Sequence, residues 1–259
     1  MTEYVAHMQE SGVEGSMPHV ARAVLSAGEA GAVVDALYSL RHHWTYRFDG
    51  LVPLFTLGAA SYLDGDGPAY HRRAERHNAV LAEHFGWLHA RIAARLETIT
   101  GRSVRMMPRA SLPGFHMFLA HRLFERPIYR AHSDAQYLER RPRGQVDGES
   151  GGADKGDGGE FDEGGLLSFT LAVALPEEAG LRMYLPGPCA SGDYAHAALA
   201  EDVEGHCRVY ERYTVGDLVV HGELMVHSIA PSLYDGREGR VTLQGHAMLG
   251  TDGTWELYW

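Results

Sequence analysis

The later part of the sequence constrains the fold most strongly, because it contains eight short runs rich in β-branched and aromatic residues, separated by turn residues. The runs are GFHMFLAH, LLSFTLAVAL, LRMYLP, HCRVYER, GDLVVHG, LMVHSIA, RVTLQGHAML and TWELYW. Eight strands spread over about 150 residues are typical of a double-sheet β-fold such as a jelly roll.

The first hundred residues show helical patterning instead. Residues 20–41 carry apolar residues at helical spacing, although internal glycines weaken the pattern. A longer helix is predicted to begin near Pro68, which suits a first helical turn, and to end near Gly101. Its predicted apolar stripe comprises Val80, Leu81, Phe85, Leu88, Ile92, Leu96 and Ile99.

These patterns predict one α+β domain over residues 1–259. We expect residues 1–102 to be mainly helical and to pack on one sheet of a distorted double-stranded β-helix, a jelly-roll or cupin-like core formed by residues 103–259. Residues 141–165 are rich in glycine and acids, so we expect a mobile loop there. The loop is either a lid over a site or a passive insertion.

Charge and composition exclude several kinds of partner. The net charge of −11 leaves no basic face for nucleic acid, and no apolar run is long enough to span a bilayer. The N-terminus lacks the pattern of a secretory signal. Cys189 and Cys207 are the only cysteines, which predicts reduced thiols and a cytoplasmic location.

A histidine and a carboxylate stand two residues apart in RAHSDAQYL, as His132 and Asp134. On an extended strand this spacing directs both side chains to one side. Two histidines and one carboxylate leave coordination positions open on a metal, as in non-heme iron(II) oxygenases. Of the sixteen histidines, His227 is the best candidate for the third ligand, because a strand leads into it and a loop follows it.

The strand after that loop alternates polar and apolar residues from Arg240 to His246. Its polar face either points outward to solvent or places Arg240 and Thr242 beside the metal. A buried arginine needs an anion, and the distal carboxylate of a dicarboxylic acid would bind it through two hydrogen bonds.

Together, the order His132-Ser-Asp134, His227 and Arg240-Val-Thr242 resembles the iron(II)/2-oxoglutarate-dependent oxygenase superfamily over residues 105–250. The resemblance implies that His132, Asp134 and His227 bind Fe(II), and that Arg240 and Thr242 bind the C5 carboxylate of 2-oxoglutarate. Oxygen is then the second co-substrate, and a ferryl species abstracts hydrogen from the substrate. Related halogenases lack this carboxylate, so Asp134 favours hydroxylation, with desaturation or ring closure also open.

Several further residues are candidates for supporting roles. Arg122, Arg130 and Tyr137 flank the expected pocket mouth, where an arginine would bind the carboxylate of an amino-acid-like small molecule. Gln136 and Gln244 are candidates to donate hydrogen bonds to the metal ligands. His116 either contacts the co-substrate or is a core histidine with satisfied hydrogen bonds, and core packing is favoured.

The stretches FTLGAASYLD and FHMFLAHRLFERPIYRAHSDAQY also resemble bacterial enzymes that modify free amino acids in natural-product pathways. One such group closes a nitrocyclopropane ring on a nitro-bearing norleucine. Three alternatives to an iron(II)/2-oxoglutarate-dependent oxygenase stay open. They are a non-catalytic or sensory cupin-like metal-binding protein, a metal-dependent enzyme of another class, and a scaffold with an inactive site.

Overall fold

The structure is a computed structural model that describes residues 18–65, 68–126, 131–134, 161–186, 206–222, 225–233 and 239–259. Its helices are α1 (Ala27–Ser39), α2 (Ser61–Asp64) and α3 (Pro68–Thr100). Its strands are β1 (His19–Ala21), β2 (Thr45–Tyr46), β3 (Leu54–Leu57), β4 (Val104–Met106), β5 (Gly114–Phe118), β6 (Phe161–Ala174), β7 (Gly180–Pro186), β8 (His206–Arg212), β9 (Leu218–Gly222), β10 (His227–Ile229), β11 (Arg240–Gly250) and β12 (Trp255–Tyr258).

The long helix α3 confirms the prediction from its apolar stripe. It begins at Pro68 and ends before Gly101, whose φ of 68° is a backbone conformation that glycine adopts without strain. The shorter helix α1 begins later than residues 20–41 indicate. Ser26 and Glu29 form a reciprocal capping box that fixes its start, and residues 19–21 form β1 instead.

The strands form two sheets. The large sheet has the order β1-β9-β6-β11-β5-β3-β2, and β12 pairs with both β11 and β4. The small sheet has the order β10-β7-β8. All eight predicted β-runs form strands, β5 to β12. The first 102 residues also supply β1, β2 and β3, which the expectation of a mainly helical segment did not include.

Both faces of the large sheet are covered. On one face, Val33 of α1 and Leu88 of α3 share a buried cluster with Phe115, Leu171 and Leu243 of the sheet. The helices therefore pack on one sheet, as expected. Each such side chain contributes about 1.5–3 kcal/mol when fully buried.

On the opposite face, the large and small sheets share a second buried cluster. Ala172 and Val219 of the large sheet pack there with Leu181, Met183 and Val209 of the small sheet. Because successive residues of a strand point to opposite faces, polar residues between the apolar ones are directed toward this second layer. The site is built from those residues.

The expected loop at 141–165 falls largely outside the described residues, which exclude 135–160. Residues 161–165, expected to be its end, instead begin β6. Among the helices of the described residues, none combines the length and the apolar character needed to cross a bilayer.

Candidate metal centre and co-substrate pocket

A cavity of about 280 Å³ lies where the polar face of the large sheet meets the small sheet. His116 of β5, Ser168 of β6, His221 of β9 and Gln244 of β11 contribute polar side chains to its wall. Phe48, Leu54, Phe118, Leu181 and Ile229 supply apolar surface. An apolar cavity with a few converging polar groups is the usual form of a small-molecule site.

Within this cavity, His132, Asp134 and His227 each offer one ligand atom, and the three atoms lie within 4.8 Å of one another. His132 Nε2 is 3.7 Å from Asp134 Oδ1, and His227 Nε2 is 3.6 Å from Asp134 Oδ2. The structure thus brings together the three residues that the motif predicts as ligands.

The local backbone differs from the strand predicted for this segment. His132 forms an isolated β-bridge with His227, and Asp134 lies in a turn. The His132 amide donates to the His227 carbonyl at 2.9 Å, and the His227 amide donates to the His132 carbonyl at 2.8 Å. Main-chain bonds to the distal histidine, and not strand alternation alone, therefore set the position of the pair.

The hydrogen bonding of His227 fixes which ring nitrogen is available. Its Nδ1 lies 2.9 Å from the Met225 carbonyl oxygen, which can only accept, so Nδ1 carries the proton. The lone pair on Nε2 then faces Asp134. Burial lowers the pKa of His227 despite the nearby carboxylate of Asp134, so the imidazole is neutral at neutral pH, as a metal ligand must be.

Asp134 is held as an anion. Burial alone would raise the pKa of its carboxyl group, but the nearby histidines and a hydrogen bond from Ser168 lower that pKa to below its usual range. The contributing histidines, in decreasing order, are His227, His246 and His221. The site therefore presents the His227 imidazole and the Asp134 carboxylate in metal-binding protonation states.

Three neighbours of this triad were not predicted from the sequence as part of the site. Ser168 Oγ lies 2.6 Å from Asp134 Oδ2 and 2.9 Å from His246 Nδ1. The ring of His221 lies 4.7 Å from that of His227, and burial lowers the pKa of His221 to about 4. The available signal was a polar residue inside an apolar strand run, as Ser168 is in LLSFTLAVAL.

Arg240 and Thr242 face inward. Arg240 is 5% exposed and lines the cavity, and Thr242 is fully buried on the same face of β11. The Arg240 guanidinium lies 5.2 Å from the centre of the Tyr213 ring and donates a long hydrogen bond to the Gly180 carbonyl. Of the two interpretations of the alternating strand, the outward one is therefore wrong, although Thr242 is not among the residues that line the cavity.

A wall of neutral polar groups lines another part of the cavity. Tyr62 Oη lies 2.8 Å from His116 Nε2, and burial lowers the pKa of His116 to about 3, so this ring is neutral. Gln244 also lines the cavity and lies 3.3 Å from Thr242 Oγ1. His116 is therefore buried, as core packing predicts, and also faces the cavity. Tyr62 was not found from the sequence.

Of the remaining candidates, the structure describes only Arg122. Arg122 is exposed in a 3-10 turn and is not among the residues that line the cavity. Arg130, Gln136 and Tyr137 lie outside the described residues, as does Cys189.

Comparison with solved structures identifies the fold. The chain is similar to a Burkholderia ambifaria N-substituted L-amino acid dioxygenase in complex with α-ketoglutarate, with a TM-score of 0.51 and 12% sequence identity over 99% of this chain and 90% of that chain. No protein-family model and no curated protein sequence matches the chain.

Two other solved structures are similar at lower TM-scores. The epimerase SnoN of nogalamycin biosynthesis has a TM-score of 0.46 and 18% identity over 95% of this chain and 85% of that chain. EvdO2 from Micromonospora carbonacea var. aurantiaca, complexed with 2-oxoglutarate, has a TM-score of 0.46 and 17% identity over 92% and 89% of the two chains.

The chain is thus a mixed helix and antiparallel-sheet protein with the fold of the 2-oxoglutarate-dependent oxygenases. The resemblance read from the order His132, Asp134, His227 and Arg240 is confirmed at the level of the fold.

Proposed function

We propose that this protein is an iron(II)- and 2-oxoglutarate-dependent oxygenase that acts on a small molecule. The observation that carries the proposal is the convergence of the ligand atoms of His132, Asp134 and His227, within 4.8 Å, in a cavity also lined by the buried Arg240. We also assign the two sheets to a distorted double-stranded β-helix.

The donor set fits iron(II). Two imidazoles and one carboxylate suit a divalent first-row metal and leave positions open for other ligands, whereas a structural zinc site uses four protein ligands. When bound, iron would supply oxygen activation with 2-oxoglutarate as the co-substrate. His132, Asp134 and His227 would hold the metal, and the Met225 carbonyl would keep His227 in the required tautomer.

Arg240 is the proposed anchor of the co-substrate. Its guanidinium is buried against Tyr213, so it lies in a low-dielectric environment where a carboxylate partner is favoured strongly. Thr242 would add a hydroxyl donor from the same strand face. Leu181 and Ile229 line the cavity as apolar surface, which limits the access of water to this ion pair.

The substrate we propose is a free or modified amino acid in natural-product biosynthesis. The similarity in fold to an N-substituted L-amino acid dioxygenase supports this class, and Tyr62, His116 and Gln244 offer neutral hydrogen-bonding groups for such a molecule. Arg130 and Tyr137 remain proposed contacts for the carboxylate of the substrate, and the loop expected at 141–165 remains either a lid or a passive insertion. Arg122 is a weaker candidate, because it does not line the cavity.

The outcome we propose is hydroxylation, with desaturation or ring closure open to the same substrate radical. Closure of a nitrocyclopropane ring on a nitro-bearing norleucine is one specific form. Incubation of the protein with a panel of amino acids and nitro derivatives under air separates these outcomes by mass. A gain of one oxygen indicates hydroxylation, and a loss of two hydrogens indicates desaturation or ring closure.

Uncoupled turnover tests the co-substrate assignment without knowledge of the substrate. Protein with Fe(II), 2-oxoglutarate and oxygen should release succinate slowly, and anaerobic addition of 2-oxoglutarate to the iron form should give a weak visible absorption band. A His227→Ala variant, which removes one ligand, should do neither. Iron binding without succinate or the band would favour a cupin-like binding protein or another class of metalloenzyme. Equal iron content in wild type and His132→Ala would indicate adventitious metal.

A further inference from the structure

Asp134 lies in a turn, where strand pairing does not fix its side chain. Rotation about the bond to its carboxylate would change which oxygen faces the two histidines. The contacts that oppose this rotation come from the large sheet, where Ser168 on β6 hydrogen-bonds to Asp134 Oδ2 at 2.6 Å.

Ser168 occupies a specific place in the sheet. It lies directly opposite His246 on β11 and directly opposite His221 on β9, so a row of three polar residues crosses the large sheet. Its side chain is 4% exposed. A buried hydroxyl between two buried strands is costly unless it is hydrogen-bonded, and here it contacts both Asp134 and His246.

The positions of the protons in this series of hydrogen bonds follow from the number of donors and acceptors that each group offers. An ionised carboxylate only accepts, so the single hydroxyl proton of Ser168 is donated to Asp134. The contact of 2.9 Å between Ser168 Oγ and His246 Nδ1 then requires His246 to donate from Nδ1. His221 does not compete for the serine, because its Nδ1 lies 3.0 Å from the Gly222 carbonyl oxygen.

The imidazole of His246 is itself held by neighbouring rings. Its centre lies 5.4 Å from the Tyr258 ring and 6.2 Å from the Tyr62 ring, the latter in an edge-to-face arrangement. Tyr258 is 1% exposed. Packing therefore fixes the orientation of the His246 ring, which donates to Ser168. Through Ser168, the ring can fix the orientation of the Asp134 carboxylate.

We propose that Ser168 and His246 are positioning residues for the metal centre, which hold the Asp134 carboxylate in one orientation through the chain His246 Nδ1–H to Ser168 Oγ–H to Asp134 Oδ2. This inference rests on the proposed function, since it assigns a purpose to the orientation of a metal ligand. Hydrogen-bond partners of metal ligands typically change metal affinity by about 10- to 100-fold when removed. The hydrogen-bonded path from His246 to Asp134 runs through Ser168, so the positioning effect of His246 depends on the serine.

The test is the dissociation constant for Fe(II), measured anaerobically by competition with a chromophoric chelator, in a double-mutant cycle. S168A should weaken binding by about 10- to 100-fold. H246L should weaken it by a smaller factor, and S168A/H246L should bind as S168A does. H246N should bind nearly as wild type does, because its amide NH₂ can donate in place of Nδ1–H.

A matched control separates positioning from general stability. Ser111 is also a buried serine, 1% exposed, but its hydroxyl accepts from the Ala59 amide and it does not line the cavity. S111A should lower the melting temperature of the metal-free protein and leave Fe(II) affinity unchanged. S168A should reduce the rise in melting temperature that Fe(II) causes.

Two results would overturn the inference: Fe(II) affinity of S168A within twofold of wild type, or a double variant whose loss is the product of the two single losses. A failure of the metal site on which the proposed function depends gives a different pattern. In that case wild type itself binds Fe(II) no more tightly than His132→Ala, and the cycle shows no effect at any position.

Discussion

His132 and His227 exchange two main-chain hydrogen bonds, at 2.9 and 2.8 Å, although 95 positions separate them in the chain. β10, which contains His227, pairs in turn with β7 of the small sheet. The two imidazoles are therefore placed by backbone contacts, with ring centres 4.7 Å apart. A pair of metal-binding histidines that is fixed in this way does not depend on the packing of long, flexible side chains.

The first prediction distinguishes ligand histidines from a histidine that is merely close. His227→Ala should weaken Fe(II) binding by at least about 100-fold. Loss of a ligand costs more than loss of a residue that hydrogen-bonds to a ligand, which typically weakens metal binding by about 10- to 100-fold. His221→Ala should change Fe(II) affinity only a few-fold, although the two rings lie 4.7 Å apart. Equilibrium dialysis against anaerobic Fe(II) measures both, and equal losses in the two variants would show that the ligand set is wrongly assigned.

The second prediction concerns the anion site. Arg240→Met removes a buried cation that would pair with the co-substrate, so the dissociation constant for 2-oxoglutarate should rise by a factor that corresponds to roughly 2–5 kcal/mol. Fe(II) affinity without 2-oxoglutarate should stay near that of wild type. Titration of the visible band of the iron form with 2-oxoglutarate measures the change.

Arg182→Met is a suitable control, because Arg182 lies on β7 but does not line the cavity. It should leave 2-oxoglutarate binding as in wild type. If Arg240→Met binds 2-oxoglutarate normally, the guanidinium does not bind the co-substrate and the proposed anchor is wrong.

The third prediction concerns the ion cluster that holds the cavity wall. Arg47 donates two hydrogen bonds to Asp64, at 2.6 and 2.9 Å, and Arg73 contacts the same carboxylate. Asp64 ends α2, whose Tyr62 reaches His116. Asp64→Asn should cost roughly 3–5 kcal/mol in the free energy of unfolding, because it leaves the buried Arg47 without a negative partner.

Urea denaturation measures this cost, with Asp252→Asn as the control. Asp252 pairs with Arg105 at 3.0 Å, but both side chains are about half exposed. Since exposed pairs are screened by solvent, Asp252→Asn should change the unfolding free energy little. If Asp64→Asn were as stable as Asp252→Asn, solvation by water, and not the Asp64 carboxylate, would compensate the buried charge of Arg47.

Much of the fold was accessible from the sequence because its signals are local. The alternation in RVTLQGHAML predicted the strand β11 and placed Arg240 and Thr242 on one face, but it left open whether that face points inward or to solvent. Pro68 and Gly101 predicted where α3 begins and ends, and the apolar stripe predicted its buried face; the helix spans Pro68–Thr100. Such periodic patterns depend only on which face of an element is buried.

Other parts of the site were not accessible because they depend on contacts between distant segments. Ser168 and His246 become neighbours only through the register of β6 with β11, which no single strand specifies. Tyr62 lies in a short helix among turn residues, where no periodicity marks its side chain as facing a cavity. The position of Asp134 depends on the bridge to His227, so the strand predicted from local spacing was wrong for this segment.

The last prediction concerns the pH dependence of stability, through His77 on α3. Its Nδ1 accepts a hydrogen bond from the buried Gly58 amide at 2.8 Å, which is possible only for the neutral ring. Burial, assisted by nearby arginines, lowers the pKa of His77 to about 4 from 6.5. Below pH 6.5 the unfolded chain binds this proton more readily, so the folded state loses stability as the pH falls toward 4.

Between pH 7 and pH 5 this linkage amounts to about 2 kcal/mol in the free energy of unfolding. His77→Asn keeps an acceptor oxygen for the Gly58 amide but does not titrate, so its unfolding free energy should fall by about 2 kcal/mol less than that of wild type over this interval. Urea unfolding at the two pH values measures the difference, and the other buried histidines cancel because both proteins contain them. Parallel pH profiles for the two proteins would show that His77 takes up its proton in the folded state as easily as in the unfolded chain.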